Sequence, residues 1–183
     1  MLTLGNGRIG VRGAHEEGAV WSGTFQNDVF INGFYESEPI VYPESAYGFA
    51  KTNQFMVRVP NATPITFSID GETFDPKLGQ IQAYRRHLDL QTGVLTRSFE
   101  WVSPKGQHVR VQSERLVSLT HTHLMAQRYS VTLLNALNGS SVIEIRSAIS
   151  NQAPQKTSDE AAIDDPRVGA SLSGQLQCAQ HLE

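Results

Sequence analysis

Ile65-Thr66-Phe67-Ser68-Ile69-Asp70-Gly71 is the stretch that decides the fold. Its odd positions are apolar apart from the closing glycine, and its even positions are polar. A period of two sends alternate side chains to opposite faces of a strand. Asp-Gly follows at once. A type I′ turn needs positive φ at both central residues, which Asp tolerates and Gly adopts freely. The stretch predicts a half-buried strand ending in a two-residue hairpin turn.

The same pattern extends in both directions. Upstream, Phe55, Val57 and Val59 oppose Gln54, Met56 and Arg58. Downstream, Tyr84, Leu88 and Leu90 share one face, and Leu95, Phe99 and Trp101 share another up to the turn Ser103-Pro104-Lys105-Gly106. Val109, Val111, Val117 and Leu119 follow, then Met125, Tyr129, Val131 and Leu133. A turn at Asn138-Gly139 precedes Ile143, Ile145 and Ile149. Strands with one wet face and short turns predict antiparallel sheets packed face to face. No stretch of helical length carries a 3.6-residue stripe, so the expected class is all-β. Residues 14–53, rich in Gly, Asn, Glu and aromatics but weakly periodic, read as long loops around a few short strands. Residues 151–175 turn polar and read as a loop or as a short helix capped by Ser158.

The chain has 183 residues, enough for one domain with its own core. It has 15 Lys and Arg against 18 Asp and Glu, a net charge of −3, which lacks the basic footprint that a nucleic acid partner requires. The one cysteine, Cys178, excludes an internal disulfide and a cysteine-based metal cluster. The opening residues lack the basic and apolar regions of a signal peptide, and no apolar run is long enough for a membrane span, so a cytoplasmic protein is expected. Both ends read as cut: Met1 leads straight into patterned sequence, and Leu182-Glu183 has the look of a cloning remnant.

Several constellations invite a chemical reading, each with a plainer one beside it. His121 and His123 would face the same way on a strand, but no third metal ligand accompanies them, so exposed histidines at a strand start are expected. Glu16-Glu17 and Asp164-Asp165 are adjacent carboxylates. Glycoside hydrolysis uses two carboxyls from different elements, ~5–10 Å apart across the bond, so these read as solvated loop charges. Arg85 and Arg86 alternate across a strand. There is no nucleophile elbow, and Gly5-Asn6-Gly7-Arg8-Ile9-Gly10 lacks the Lys-Ser/Thr of a phosphate loop. Its glycines read as providing turns and close backbone approach. Trp21, Phe25, Phe30, Phe34, Tyr35, Tyr42, Tyr47 and Phe49 crowd the opening, read first as core or interface filling and second as a platform for sugar rings.

Three ordered motifs carry a resemblance. Leu4-Gly5-Asn6-Gly7-Arg8-Ile9-Gly10-Val11-Arg12-Gly13, followed by His15-Glu16-Glu17-Gly18, resembles the opening motif of glycoside hydrolase family 65. Asp70-Gly71-Glu72-Thr73-Phe74-Asp75 resembles that family's Asp-Gly-Glu hairpin. Tyr84-Arg85-Arg86-His87-Leu88-Asp89-Leu90 with Gly93-Val94-Leu95-Thr96-Arg97 resembles the strand pair after it. The family includes maltose, trehalose and kojibiose phosphorylases and related hydrolases. The resemblance runs from about residue 4 to residue 150 and implies an N-terminal β-sandwich of the super-sandwich type, joined to an (α/α)6 barrel that carries the chemistry.

Residues 1–183 are then expected to be that sandwich, stopping before its last strands, with no catalytic residue, metal site or cofactor of its own. The parent enzyme would act on an α-glucosidic disaccharide by phosphorolysis or hydrolysis, with inorganic phosphate as a possible co-substrate. The sandwich would support the barrel and a homo-oligomer interface, with no nucleic acid or membrane partner. Gly5, Asn6, Gly7, Arg8, Gly10, Arg12 and Gly13 are the residues expected to face the barrel. A stand-alone carbohydrate-binding module and a purely structural sandwich are the alternatives.

Overall fold

A computed structural model describes residues 2–18, 29–44, 46–135 and 140–149. Among them there is no α-helix, and every strand pairing is antiparallel. The strands are β1 (Thr3–Gly5), β2 (Ile9–Arg12), β3 (Val29–Pro39), β4 (Thr52–Val59), β5 (Ile65–Ile69), β6 (Glu72–Thr73), β7 (Gln80–Leu88), β8 (Leu95–Val102), β9 (His108–Val117), β10 (Met125–Asn135) and β11 (Ile143–Ser147). They form three sheets, ordered β1-β2-β3-β4, β10-β9-β8-β7 and β11-β5-β6. The all-β, sandwich-like class predicted from the alternation is what forms.

The β10-β9-β8-β7 sheet is one layer, and the other two sheets lie along its inner face. Phe67, Ile69 and Phe74 of the β5–β6 region pack on Phe99, Trp101, Val109 and Val111 of β8 and β9. Leu4, Val11 and Val29 of the first sheet pack on Leu95 and Val117 at the other end of the same two strands. Phe67 and Phe74 stack with ring centroids 4.8 Å apart, and Trp101 meets both edge-on. The Trp101 indole N–H donates to the Leu78 carbonyl at 2.9 Å, so the largest core side chain leaves no polar atom stranded.

Two of the turns read from sequence form where expected. Asp70 and Gly71 take φ of 47° and 79° between β5 and β6, the two positive values of a type I′ turn. Ser103-Pro104-Lys105-Gly106 joins β8 to β9, with Gly106 at φ 87° and its N–H on the Ser103 carbonyl at 2.8 Å. Asn138-Gly139 and residues 151–175 lie outside the described residues.

Four expectations need correction. The segment 14–53 holds more than short strands: β3 runs for 11 residues and pairs with β4 along a ribbon. The face assigned to Tyr84, Leu88 and Leu90 is broken. A bulge between Gln82 and Arg85, with Ala83 at φ 51°, switches the inward parity from Ile81 to Arg86 and Leu88. Tyr84, within the bulge, is left 41% exposed with its hydroxyl on His15. Leu90 falls in the turn that the Asp89 carboxylate closes on the Gln91 and Thr92 N–H groups. At the other ends, Leu119, Ile145 and Ile149 are exposed rather than core. Finally, His121 and His123 sit in the turn between β9 and β10, not on a strand, with ring centroids 6.4 Å apart.

Candidate functional site

The inner faces of β8 and β9 carry an unexpected layer. Along β8 the inward residues are Leu95, Arg97, Phe99 and Trp101, and along β9 they are Val109, Val111, Ser113, Arg115 and Val117. The register sets Arg97 opposite Ser113 and Arg115 opposite Leu95, so a polar belt divides the two apolar clusters. Arg97 and Arg115 are 5% and 1% exposed. A buried guanidinium without a partner costs several kcal/mol, so the sequence must supply carboxylates.

It supplies them from the turn after β2. Glu16 and Glu17, read from sequence as solvated, are instead each 5% exposed. Arg97 grips Glu17 with two parallel hydrogen bonds, Nη1 to Oε2 at 2.9 Å and Nη2 to Oε1 at 2.7 Å. This fork-on-fork pairing is the strong form of an arginine–carboxylate contact. Arg97 Nη2 also lies 2.6 Å from Glu16 Oε2, close enough for charge pairing but without hydrogen-bond geometry. Arg115 Nη2 donates to Glu16 Oε1 at 2.8 Å, its Nε to Gln127 Oε1 at 3.1 Å, and its Nη1 to the Arg12 carbonyl at 3.4 Å. The Tyr129 hydroxyl donates to Glu17 Oε1 at 2.6 Å. Two cations meet two anions, and the half-buried Arg86 adds a third cation close enough to act on Arg115 and His15.

The ionisation of these groups follows. Burial alone would raise the Glu17 carboxyl, but the hydrogen bonds and charge of Arg97, with the Tyr129 hydroxyl, hold it below its ordinary value. Burial, aided by the Glu17 carboxylate, pushes the Tyr129 phenol up. His15 precedes the pair and bonds the Tyr84 hydroxyl at 2.9 Å. Burial, then the charges of Arg97 and Arg86, lowers it from 6.5 to about 4. Both carboxylates are engaged by guanidinium groups, Glu17 by Arg97 and Glu16 by Arg115.

The belt touches the glycine-rich opening through Arg115, whose Nη1 reaches the Arg12 carbonyl. Residues 5–13, expected as a loop, form a hairpin in which Gly5 pairs with Gly10 and Thr3 with Arg12. Gly7 turns it at φ 84°. The Asn6 carboxamide accepts from the Arg8 and Ile9 N–H groups at 2.9 and 2.8 Å. It also donates across to the Ser118 and Thr122 carbonyls at 2.6 and 3.0 Å. At the other end Arg86 Nη2 donates to the Gly13 carbonyl. Gly13 is obligatory, because a Cβ there would collide with the Leu2 carbonyl and press on Arg86. Of the seven predicted interface residues, Gly5, Gly7, Arg8 and Arg12 are exposed, Asn6 and Gly10 are half-buried, and Gly13 is buried. The seven residues lie in one hairpin, and sequence reasoning missed the Arg97–Arg115 belt beside it. Its trace was there: both arginines lie in phase with the apolar positions of their strands.

The remaining candidates scatter. Arg85 and Arg86 face opposite ways. Asp164-Asp165, Trp21 and Phe25 lie outside the described residues. Phe34, Tyr35, Tyr42, Tyr47 and Phe49 are exposed and fill no core of this domain. Among the described residues no group of three His, Cys, Asp or Glu side chains could hold a metal ion.

The chain matches, over residues 1–183, the family described as glycosyl hydrolase family 65, N-terminal domain. It is 40% identical over 179 residues to an alpha,alpha-trehalose phosphorylase of Thermoanaerobacter brockii, covering 96% of this chain and 22% of that protein. It is 36% identical over 183 residues to an uncharacterized glycosyl hydrolase of Mycobacterium tuberculosis, covering 99% of this chain and 22% of the relative. A solved structure titled "Putative kojibiose phosphorylase from human microbiome" superposes with a TM-score of 0.62 at 24% identity, over 72% of this chain and 17% of that one. The chain thus spans about a fifth of the length of the relatives it matches.

Proposed function

This chain belongs to the N-terminal domain family of glycosyl hydrolase family 65, and from that membership we propose that it is the non-catalytic β-sandwich of a larger enzyme. That enzyme acts on an α-glucosidic disaccharide, by phosphorolysis with inorganic phosphate or by hydrolysis. It works in the cytoplasm as a homo-oligomer, and the sandwich supports its catalytic barrel. No helix among the described residues is long and apolar enough to cross a membrane.

One observation carries the reading. The carboxylates best placed for acid–base work, Glu16 and Glu17, are buried under Arg97 and Arg115, and Arg115 in turn reaches the Arg12 carbonyl at the end of the 5–13 hairpin. The hairpin turns Gly5, Gly7, Arg8 and Arg12 outward on a rigid base, which suits docking and not chemistry. A sugar-binding module would instead rest on the exposed aromatics. Tyr42 and Phe49, the closest pair there, are tilted by 49° and make no flat platform.

Two measurements test this. The purified 183-residue chain should turn over none of maltose, trehalose or kojibiose, with or without phosphate. A preparation that retains activity through repurification would overturn the assignment. In the protein carrying the catalytic part, Arg12→Ala should weaken domain association or activity more than Arg110→Ala, an exposed residue of β9 paired with Glu100 at 2.8 Å. Equal and negligible effects would remove the hairpin from the interface.

A further inference from the structure

The largest feature that this function leaves unused is the outer part of the β3–β4 ribbon. Its register pairs Tyr35 with Met56, Ser37 with Gln54 and Pro39 with Thr52 on one face, and Glu36 with Phe55 and Glu38 with Asn53 on the other. The second face continues inward to Val57, which is 1% exposed. The first points away from the core. All six of its residues are exposed, and none carries a charge. Beyond it the tip holds Val41, Tyr42, Tyr47 and Phe49, also exposed. An isolated two-stranded ribbon is marginally stable in water, and the exposed Tyr35, Met56, Val41, Tyr42, Tyr47 and Phe49 on an uncharged face and tip mark an interaction site. Gly33, at φ 106° within the bulge between Phe30 and Tyr35, swings the strand out from its pairing with β2 to form this arm.

We propose that the charge-free face and aromatic tip of the β3–β4 ribbon dock on the catalytic part of the same enzyme, as a second attachment separate from the 5–13 hairpin. The inference rests on the reading that this chain is one domain of a larger enzyme. The relatives run to more than four times its length, so most of such a protein is available to cover the arm. A second copy of the ribbon is the poorer occupant. Residues 34–56 carry Glu36, Glu38 and Glu44 against Lys51 alone, with Glu36 and Glu38 on the opposite face, so a second copy offers this face no complementary charge. The surface on the catalytic part should be apolar, with polar groups that meet Ser37, Gln54 and the Tyr hydroxyls.

Hydrogen exchange resolves the question peptide by peptide. It would be measured on the 183-residue chain and on the protein carrying the catalytic part, each over a concentration series. Amides of residues 34–56 should exchange at least about tenfold more slowly in the longer protein, at every concentration. Met56→Lys and Tyr35→Glu in the longer protein should return those amides to the rates of the short chain while leaving residues 5–13 unchanged. Equal exchange in the two proteins overturns the proposal, as does slowing that grows with concentration, which would assign the face to a second copy. Unprotected 5–13 amides beside a protected ribbon would sink the hairpin interface and leave the ribbon docking intact.

Discussion

Single residues decide whether the polar belt holds. Removing one partner from a buried ion pair strands the other charge and costs roughly 3–5 kcal/mol, far more than the ~0–1 kcal/mol of an exposed pair. Glu17→Ala should therefore lower the urea midpoint markedly, whereas Arg110→Ala should barely move it. Similar small shifts in both would mean the belt is looser than its distances suggest. Acid should act through the same groups. His15 is depressed from 6.5 to about 4, so the unfolded chain binds the extra proton between those values. Its contribution is full above 6.5 and is lost as the pH falls through 4. Glu17, also depressed, adds its own loss at lower pH, because its stabilisation exists only above the ordinary carboxylate value. Stability measured at constant ionic strength should decline from pH 6.5 to 4, and His15→Gln should flatten that slope. An unchanged slope in the variant would show that other groups set it. At this scale the sequence was half legible. Arg97 and Arg115 betray themselves by sitting on the apolar phase of β8 and β9, but no local rule announces that loop residues Glu16 and Glu17 fold inward to meet them.

Elements were read well where turn chemistry and alternation agreed. The β5–β6 hairpin follows from Asp70-Gly71, and its turn is also tied down: Asp70 accepts from the Val142 N–H at 2.7 Å and from the Gln107 amide at 2.5 Å. Gly71→Ala would force a Cβ into φ 79°, at about 1–2 kcal/mol. The same change at Gly10, a strand glycine with open space around its Cβ position and no positive φ, should cost less. Thermal unfolding of the two variants compares them directly, and a larger loss at Gly10 would mean that the turn adapts. Reading failed where a bulge intervenes, since one extra residue reverses every later side chain. That is why Tyr84 stays 41% exposed at the bulge and why β3, carrying Gly33 and a run of polar residues, has too little periodicity to announce 11 residues of strand.

At the scale of the whole molecule, one side of the sandwich stays open among the described residues. β11 pairs only with β5, and its sheet is three strands wide against four in the layer it faces. Ile145 sits opposite the buried Phe67 on the core-facing side, yet it is 47% exposed. An apolar residue in phase with the core but left in water indicates that something further belongs beside it. We propose that a further strand pairs at the β11 edge, and a longer version of the chain is where the resemblance to the larger family sandwich would place it. A version of the chain extended through it should unfold at a higher temperature, and Ile145→Glu should destabilise the extended version more than the 183-residue one. The shorter chain should also show a mass that rises with concentration in light scattering, through pairing at the β11 edge. A strictly monomeric 183-residue chain, unfolding at the same temperature as the extended one, would show that the sandwich is already closed and that Ile145 is an ordinary surface residue.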